Sequence, residues 1–177
     1  MKLNNLHFIF LTVFLSATAY SEVLNNLEVV WVVDGDTVHA TKNGELYKIR
    51  LTEIDAPERD QPFGKQSTDN LKVFLIKGFI DVDLEGQDIY KRHLGRIYVD
   101  GKDINKKMVS TGSAWVYDKY VTDESFYMEQ KKAQNDKLGI WASEEAMPPW
   151  VWRQRNNKFS KELSHSPKAA NLFILAL

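Results

Sequence analysis

Cysteine is absent from this 177-residue chain. That one absence removes disulfide staples, thiolate zinc sites and cysteine nucleophiles. Proline (5) and glycine (9) are sparse, so a collagen-like or proline-rich chain is excluded. Apolar runs are short: residues 8–15 form one, broken by Thr12, well below the roughly 20 residues that cross a hydrocarbon core. Neither sign of charge dominates, with 23 Lys+Arg against 24 Asp+Glu and a net of −1. A protein that coats nucleic acid through bulk positive charge is therefore excluded. The histidines are His7, His39, His93 and His165, and no two have the spacing of a metal-ligand pair. No Gly-x-Ser-x-Gly elbow or phosphate-loop signature occurs. What remains is 44% hydrophobic, 27% charged and 12% aromatic, an ordinary globular composition at a length that favours one domain.

Residues 1–19 read as a secretory signal. Lys2 gives a positive start, residues 8–15 an apolar stretch, and Ala17-Thr18-Ala19 a small-x-small cleavage site near 19–21. The expected location is the periplasm or the medium, with no stable membrane association after cleavage. The mature balance is then 22 Lys+Arg against 24 Asp+Glu, because only Lys2 is lost. The expected layout is a folded domain over 24–142 and an extension over 143–177, partly packed and disordered at its end.

Residues 29–33 are β-branched and aromatic, a buried strand candidate. Asp34-Gly35 turns the chain into a second strand, and Asn43-Gly44 into a third in which Leu46, Ile49 and Leu51 are the apolar positions. A helix follows Pro62 through Leu71, Phe74 and Leu75, and Gly78 stops it. Ile80, Val82 and Leu84 alternate with acids, and residues 96–99 form a further strand. A short helix carries Ile104, Met108 and Val109. Residues 123–138 form another, with Asp123 as its N-cap. Five short strands with a helix between the third and fourth predict an α+β fold: a five-stranded OB-fold Greek-key barrel with about three helices.

Several carboxylates stand at tight turns: Asp34 and Asp36 around Gly35, Asp55 and Glu58 around Ala56-Pro57. Either motif alone is an ordinary turn. If the meander pairs, Asp36 and Asp55 meet and can share one cation, and hard oxygens suit Ca²⁺ or Mg²⁺ rather than zinc. Arg50 precedes Asp55 by five residues and Arg92 precedes the next strand. Guanidinium forks match phosphate oxygens, although most surface arginines simply pair with acids. Charge is also segregated. Residues 53–60 carry a local −3, residues 88–107 a local +3 and residues 153–168 a local +4. The last reads either as a phosphate-steering tail or as a solvated end. Residues 148–155, with Trp150 and Trp152, read as a cap on the barrel.

Asp34-Gly35-Asp36-Thr37, Ile49-Arg50-Leu51 with Ile54-Asp55-Ala56-Pro57-Glu58, Tyr90-Lys91-Arg92, and residues 97–101 together resemble the staphylococcal (micrococcal) thermonuclease family. Lys137-Leu138-Gly139-Ile140-Trp141 and the later Pro149-Trp150 and Trp152-Arg153 extend the similarity, which runs from about residue 28 to 156. The resemblance implies an OB-fold nuclease that hydrolyses phosphodiesters of DNA and RNA with Ca²⁺; tyrosine rings stack on any base, so weak sequence preference and favoured single strands are expected, as is a monomer. It implies Asp36, Asp55 and the Ala56 carbonyl as metal ligands, where the family's namesake has threonine at the Ala56 position. Arg50, Glu58 and Arg92 would be the catalytic set. Tyr90 and one of Tyr117 or Tyr120 would contact the nucleotide. The rival reading from another class is an OB-fold that binds nucleic acid without cutting it. Against it, Asp36, Arg50, Asp55, Glu58 and Arg92 are all present. Two departures stand out: Lys91 replaces a frequent glycine, and the loop 59–65 is shorter and less basic than in the namesake.

Overall fold

The computed structural model describes residues 22–164, so the expected signal segment and the chain beyond 164 lie outside the described residues. Five strands close into a barrel. They are β1 (Glu22–Val32), β2 (Thr37–Lys42), β3 (Glu45–Leu51), β5 (Phe79–Gln87) and β6 (His93–Val99). β1, β2 and β3 form an antiparallel meander. β5 pairs with β1 and β6 with β5, both antiparallel. Parallel pairing of β3 with β6, at Ile49↔His93, Arg50↔Leu94 and Leu51↔Gly95, completes the ring. This is the expected OB-type α+β barrel.

Among the described residues four helices accompany the barrel, where about three were expected. They are α1 (Gly64–Phe74), α2 (Ile104–Ser110), α3 (Ser125–Asn135) and α4 (Pro149–Ser164), with a 3₁₀ turn at Gly139–Ala142. Asp103 caps α2 by accepting the Lys106 N–H at 2.8 Å. Asp123 accepts the Ser125 N–H at 3.0 Å at the start of α3, close to its expected capping role. Two short pairings complete the fold: β4 (Ile54–Asp55) runs antiparallel to β8 (Trp115–Val116), and β7 (Lys102–Asp103) to the end of β6.

The core lies inside the barrel and beneath α1, α2 and α3. Leu27, Val38, Ile49, Leu51, Ile54, Leu71, Ile80, Val82, Ile97, Met108, Val109 and Phe126 are almost completely shielded from water. Two strand expectations change. Residues 29–33 were expected to be buried, yet Val30 and Trp31 are exposed. A register shift between Val29 and Trp31 turns that stretch outward, and one face of β1 meets water. In β3, Tyr47 packs on the core with Ile49 and Leu51 while Leu46 is exposed, because residues two apart share a face.

The fourth helix is docked by aromatic rings. Trp150 stacks on Tyr117 with centroids 5.4 Å apart and planes 7° apart, and lies edge-on to Trp115 at 6.1 Å. Gln61, itself buried, donates to the Met147 carbonyl at 2.6 Å. These contacts draw α4 against the loop that follows Asp55.

Candidate active site

Three pieces of chain meet at one end of the barrel. The β1–β2 turn brings Asp36, the end of β3 brings Arg50, and β4 with the turn after it brings Asp55, Ala56 and Glu58. Two glycines permit the approach. A methyl on Gly35 would overlap Ser67 of α1 and the Ala56 side chain, and one on Gly64 would overlap the Glu58 carbonyl. The pairing of Asp55 with Trp115 fixes the far side of the turn.

Asp36 and Asp55 are both buried. Asp36 Oδ2 accepts the Ala56 N–H at 2.8 Å, and Oδ1 accepts the Thr37 hydroxyl at 3.1 Å. Arg50 joins the two acids. Its Nε lies 3.1 Å from Asp36 Oδ1, and its Nη2 lies 3.1 Å from Asp55 Oδ1. Nη1 donates to the Leu51 carbonyl and, at 2.9 Å, to that of Ile54. Most of this guanidinium is therefore spent holding the acids and the turn. Burial pushes the Asp55 carboxyl above its ordinary range, against the opposing pull of Arg153 and Arg50.

Arg153 of α4 also belongs to the cluster, and the sequence reading missed it as a site residue. Its Nη2 lies 2.8 Å from Asp55 Oδ2 and its Nη1 2.6 Å from Glu58 Oε1. Burial works against the Arg153 charge, but the hydrogen bonds to Asp55 and Glu58 outweigh it and raise its pKa above the usual arginine value.

The expected site residues divide into two groups. Asp36, Arg50, Asp55, Ala56 and Glu58 come together, whereas Arg92 does not join them. Its Nε and Nη2 are each 2.8 Å from Asp88 Oδ2, on the loop between β5 and β6. Tyr90 on that loop is exposed, with the Arg92 guanidinium 5.7 Å from its ring centre. Lys91 adopts φ 64°, the left-handed region that favours glycine, which accounts for the glycine common there in the family it resembles. Tyr117 is covered by Trp150, while Tyr120 is exposed.

The segregated charges are also redistributed. Glu53 turns away from the site to Arg96. Arg96 and Lys106 both pair with Asp123, so much of the basic stretch 88–107 is structural rather than phosphate-facing.

Asp34 closes the turn by accepting the Asp36 N–H at 3.1 Å. Its carboxyl is pushed up from 3.8 to about 6 by burial, reinforced by the Asp36 charge. Between those two values the native state holds the extra proton, so stability falls as pH rises through that window and stays lower above it. Asp34→Asn keeps the acceptor and removes the charge. The expected result is a gain of about 1–2 kcal/mol at pH 7 in metal-free protein, absent near pH 4, measured by urea unfolding at both pH values. An equal stability for both proteins at pH 7 would contradict it.

Among the described residues, no group of three or more histidine, aspartate or glutamate side chains is arranged to hold a metal by itself. Two carboxylates do share the site, with Glu58 beside them. Asp36, Asp55 and Glu58 carry three negative charges against the single positive charge of Arg50, and a second cation, the Arg153 guanidinium, already rests on two of them. A seat built from carboxylate oxygens and short of positive charge fits a hard divalent ion.

Buried paired aspartates, an adjacent glutamate and a bridging arginine thus stand together at one end of the OB barrel. Residues 48–143 match the family described as staphylococcal nuclease homologue. A protein of Escherichia coli named as an uncharacterized endonuclease is 41% identical over 128 residues, covering 72% of this chain and 84% of that protein. One of the same description from Haemophilus influenzae is 34% identical over 166 residues, covering 92% and 93%. A micrococcal nuclease of Shigella flexneri is 35% identical over 138 residues, covering 72% and 79%. The chain belongs to the staphylococcal nuclease family and is a phosphodiester-hydrolysing nuclease.

Proposed function

We propose that the chain is an exported, monomeric, Ca²⁺-dependent nuclease acting on DNA and RNA with little sequence preference. The observation that carries this reading is the buried Asp36–Arg50–Asp55 bridge with Glu58 beside it. Asp36, Asp55 and the Ala56 carbonyl would hold Ca²⁺, which when bound supplies positive charge to a phosphate oxygen. Glu58 orients the attacking water and takes its proton. Arg50 fixes the two aspartates and offers the remainder of its fork to the phosphate. Arg92, on the exposed β5–β6 loop, exchanges Asp88 for the charge that grows on the phosphate oxygens or the leaving oxygen. Tyr90 and Tyr120 are exposed, and stacking on their rings tolerates any base and favours single strands. Tyr117, expected as an alternative to Tyr120, supports Tyr120 edge-on at 5.0 Å.

The test incubates the purified chain, without residues 1–19, with single-stranded DNA and with RNA. Cleavage in Ca²⁺ that stops with chelator supports the reading. Intact substrate in Ca²⁺ overturns it, and intact substrate that is nevertheless bound identifies a non-catalytic OB-fold module.

A further inference from the structure

We propose that Arg153 is a positioning residue of the active site: its guanidinium clamps Glu58 to Asp55 and so sets where the attacking water is held relative to the bound cation. The inference rests on the nuclease reading above, and deepens it by assigning a role to the helix that follows the barrel.

The contact pattern is that of a fork, not a chance surface pair. Nη2 reaches Asp55 Oδ2 at 2.8 Å, while Nη1 reaches Glu58 Oε1 at 2.6 Å and Asp55 Oδ1 at 3.3 Å. Two carboxylates with different tasks are thus spanned by one rigid planar group. Asp55 has a second partner in Arg50. Glu58 does not: among the described residues Arg153 alone holds its carboxylate. With 38% of its side chain exposed, Glu58 would otherwise sample several rotamers.

Arg153 is itself held in place. Trp150, one turn earlier on α4, is stacked on Tyr117, and Trp152 Nε1 lies 3.4 Å from Asp60 Oδ1. Gln61 ties the same loop to both sides: its Oε1 accepts the Glu58 N–H at 3.1 Å and its Nε2 donates to the Met147 carbonyl at 2.6 Å. The loop carrying Glu58 and the helix carrying Arg153 are therefore one packed unit. Arg92, by contrast, points to Asp88, so Arg153 and Arg50 are the guanidinium groups that touch the acids.

The charge has a second consequence. A guanidinium on Asp55 repels a divalent ion seated there. Loss of Arg153 should therefore help the cation to bind and hinder the chemistry. A merely structural residue would weaken both, and an inhibitory strap would weaken neither.

The experiment uses Arg153→Ala and Arg153→Lys in the full mature chain. Calorimetry with CaCl₂ alone, without nucleic acid, is expected to show at least about fivefold tighter binding for Arg153→Ala, from removal of a like charge a few ångströms away. Steady-state cleavage of single-stranded DNA is expected to show kcat at least about thirtyfold lower, with KM within about threefold of wild type. Arg153→Lys keeps the charge but cannot span both acids; wild-type-like Ca²⁺ affinity with kcat still depressed supports the fork. A normal kcat in Arg153→Ala, a raised kcat, or weakened Ca²⁺ binding each overturns the proposal. If Arg153→Ala does not fold, Arg153→Lys decides alone, and full activity there overturns the proposal. Failure of the nuclease reading is distinguishable, because wild type itself would then neither cut DNA nor respond to Ca²⁺.

Discussion

Arg50→Lys is expected to lower kcat by about a thousandfold, more than loss of a single phosphate contact. The reason is the number of groups that share this one side chain. Arg50 reaches Asp36 through Nε, Asp55 through Nη2, and the carbonyls of Leu51 and Ile54 through Nη1. Lysine carries the same charge at a single point and can satisfy one of the two acids at that range. Asp55 keeps Arg153, so a lysine drawn to Asp55 leaves Asp36 buried without its counter-charge, and in either case the β3–β4 turn that sets the Asp36–Asp55 spacing loses its internal donor. Stability should drop as well, by about 2–4 kcal/mol, because a broken buried pair leaves an uncompensated charge. The measurement is single-turnover cleavage at saturating Ca²⁺, alongside urea unfolding. Should Ca²⁺ rescue the stability of Arg50→Lys without rescuing turnover, the arginine acts on the phosphate as well as on the acids. Turnover within tenfold of wild type would show that the bridge is dispensable.

Much of this arrangement is legible in the sequence because it is local. The Asp-Gly-Asp turn, Arg50 five residues before Asp55, and Glu58 three residues beyond it lie on consecutive elements of a meander, so pairing two adjacent hairpins brings them together. Alternating positions such as Ile80, Val82 and Leu84 declare their buried face because strand side chains repeat every two residues. Arg153 is not legible in this way. It lies 98 residues from Asp55 and 95 from Glu58, and no spacing rule connects them. Its helix is mostly polar after Trp152, so the local pattern suggests a solvated tail. The docking surface for that helix, Trp115 and Tyr117, forms only when β8 pairs with β4. The separation of Arg92 from the acids is hidden for the opposite reason. The Arg92 motif is recognisable, but the loop closes on itself through Asp88, whose Oδ1 accepts the N–H groups of both Tyr90 and Arg92. Glu53 falls within the acidic stretch 53–60, yet it faces Arg96 rather than the site, because neighbours two apart on an irregular turn need not face the same way.

Glu53→Ala is expected to be strongly destabilising, costing about 3–5 kcal/mol and lowering Tm by about 10–20 °C. Glu53 is buried, and its backbone takes φ 65°, so its conformation carries a cost that contacts must offset. Those contacts are dense. Oε1 accepts the Thr122 N–H at 2.9 Å, the Thr122 hydroxyl at 2.8 Å and the Asp123 N–H at 2.8 Å, and Oε2 pairs with Arg96. The Glu53 carbonyl accepts the Tyr117 N–H at 2.8 Å. One residue thus pins the whole segment from Tyr117 to the start of α3, and Tyr120 stands on that segment. Alanine removes every side-chain acceptor at once and leaves Arg96 its ion pairs with Asp103 and Asp123. The functional signature should differ from that of an active-site residue. At a temperature where the variant is folded, KM is expected to rise several-fold as Tyr120 loses its support, while kcat stays within about threefold because Asp36, Arg50, Asp55 and Glu58 are untouched. Glu53→Gln should fall between, since its oxygen can still accept from the Thr122 and Asp123 N–H groups while its amide meets Arg96 donor to donor. Thermal melts and Michaelis curves for the two variants test this, and a Tm for Glu53→Ala within 3 °C of wild type would show that the Glu53 network adds nothing to the fold.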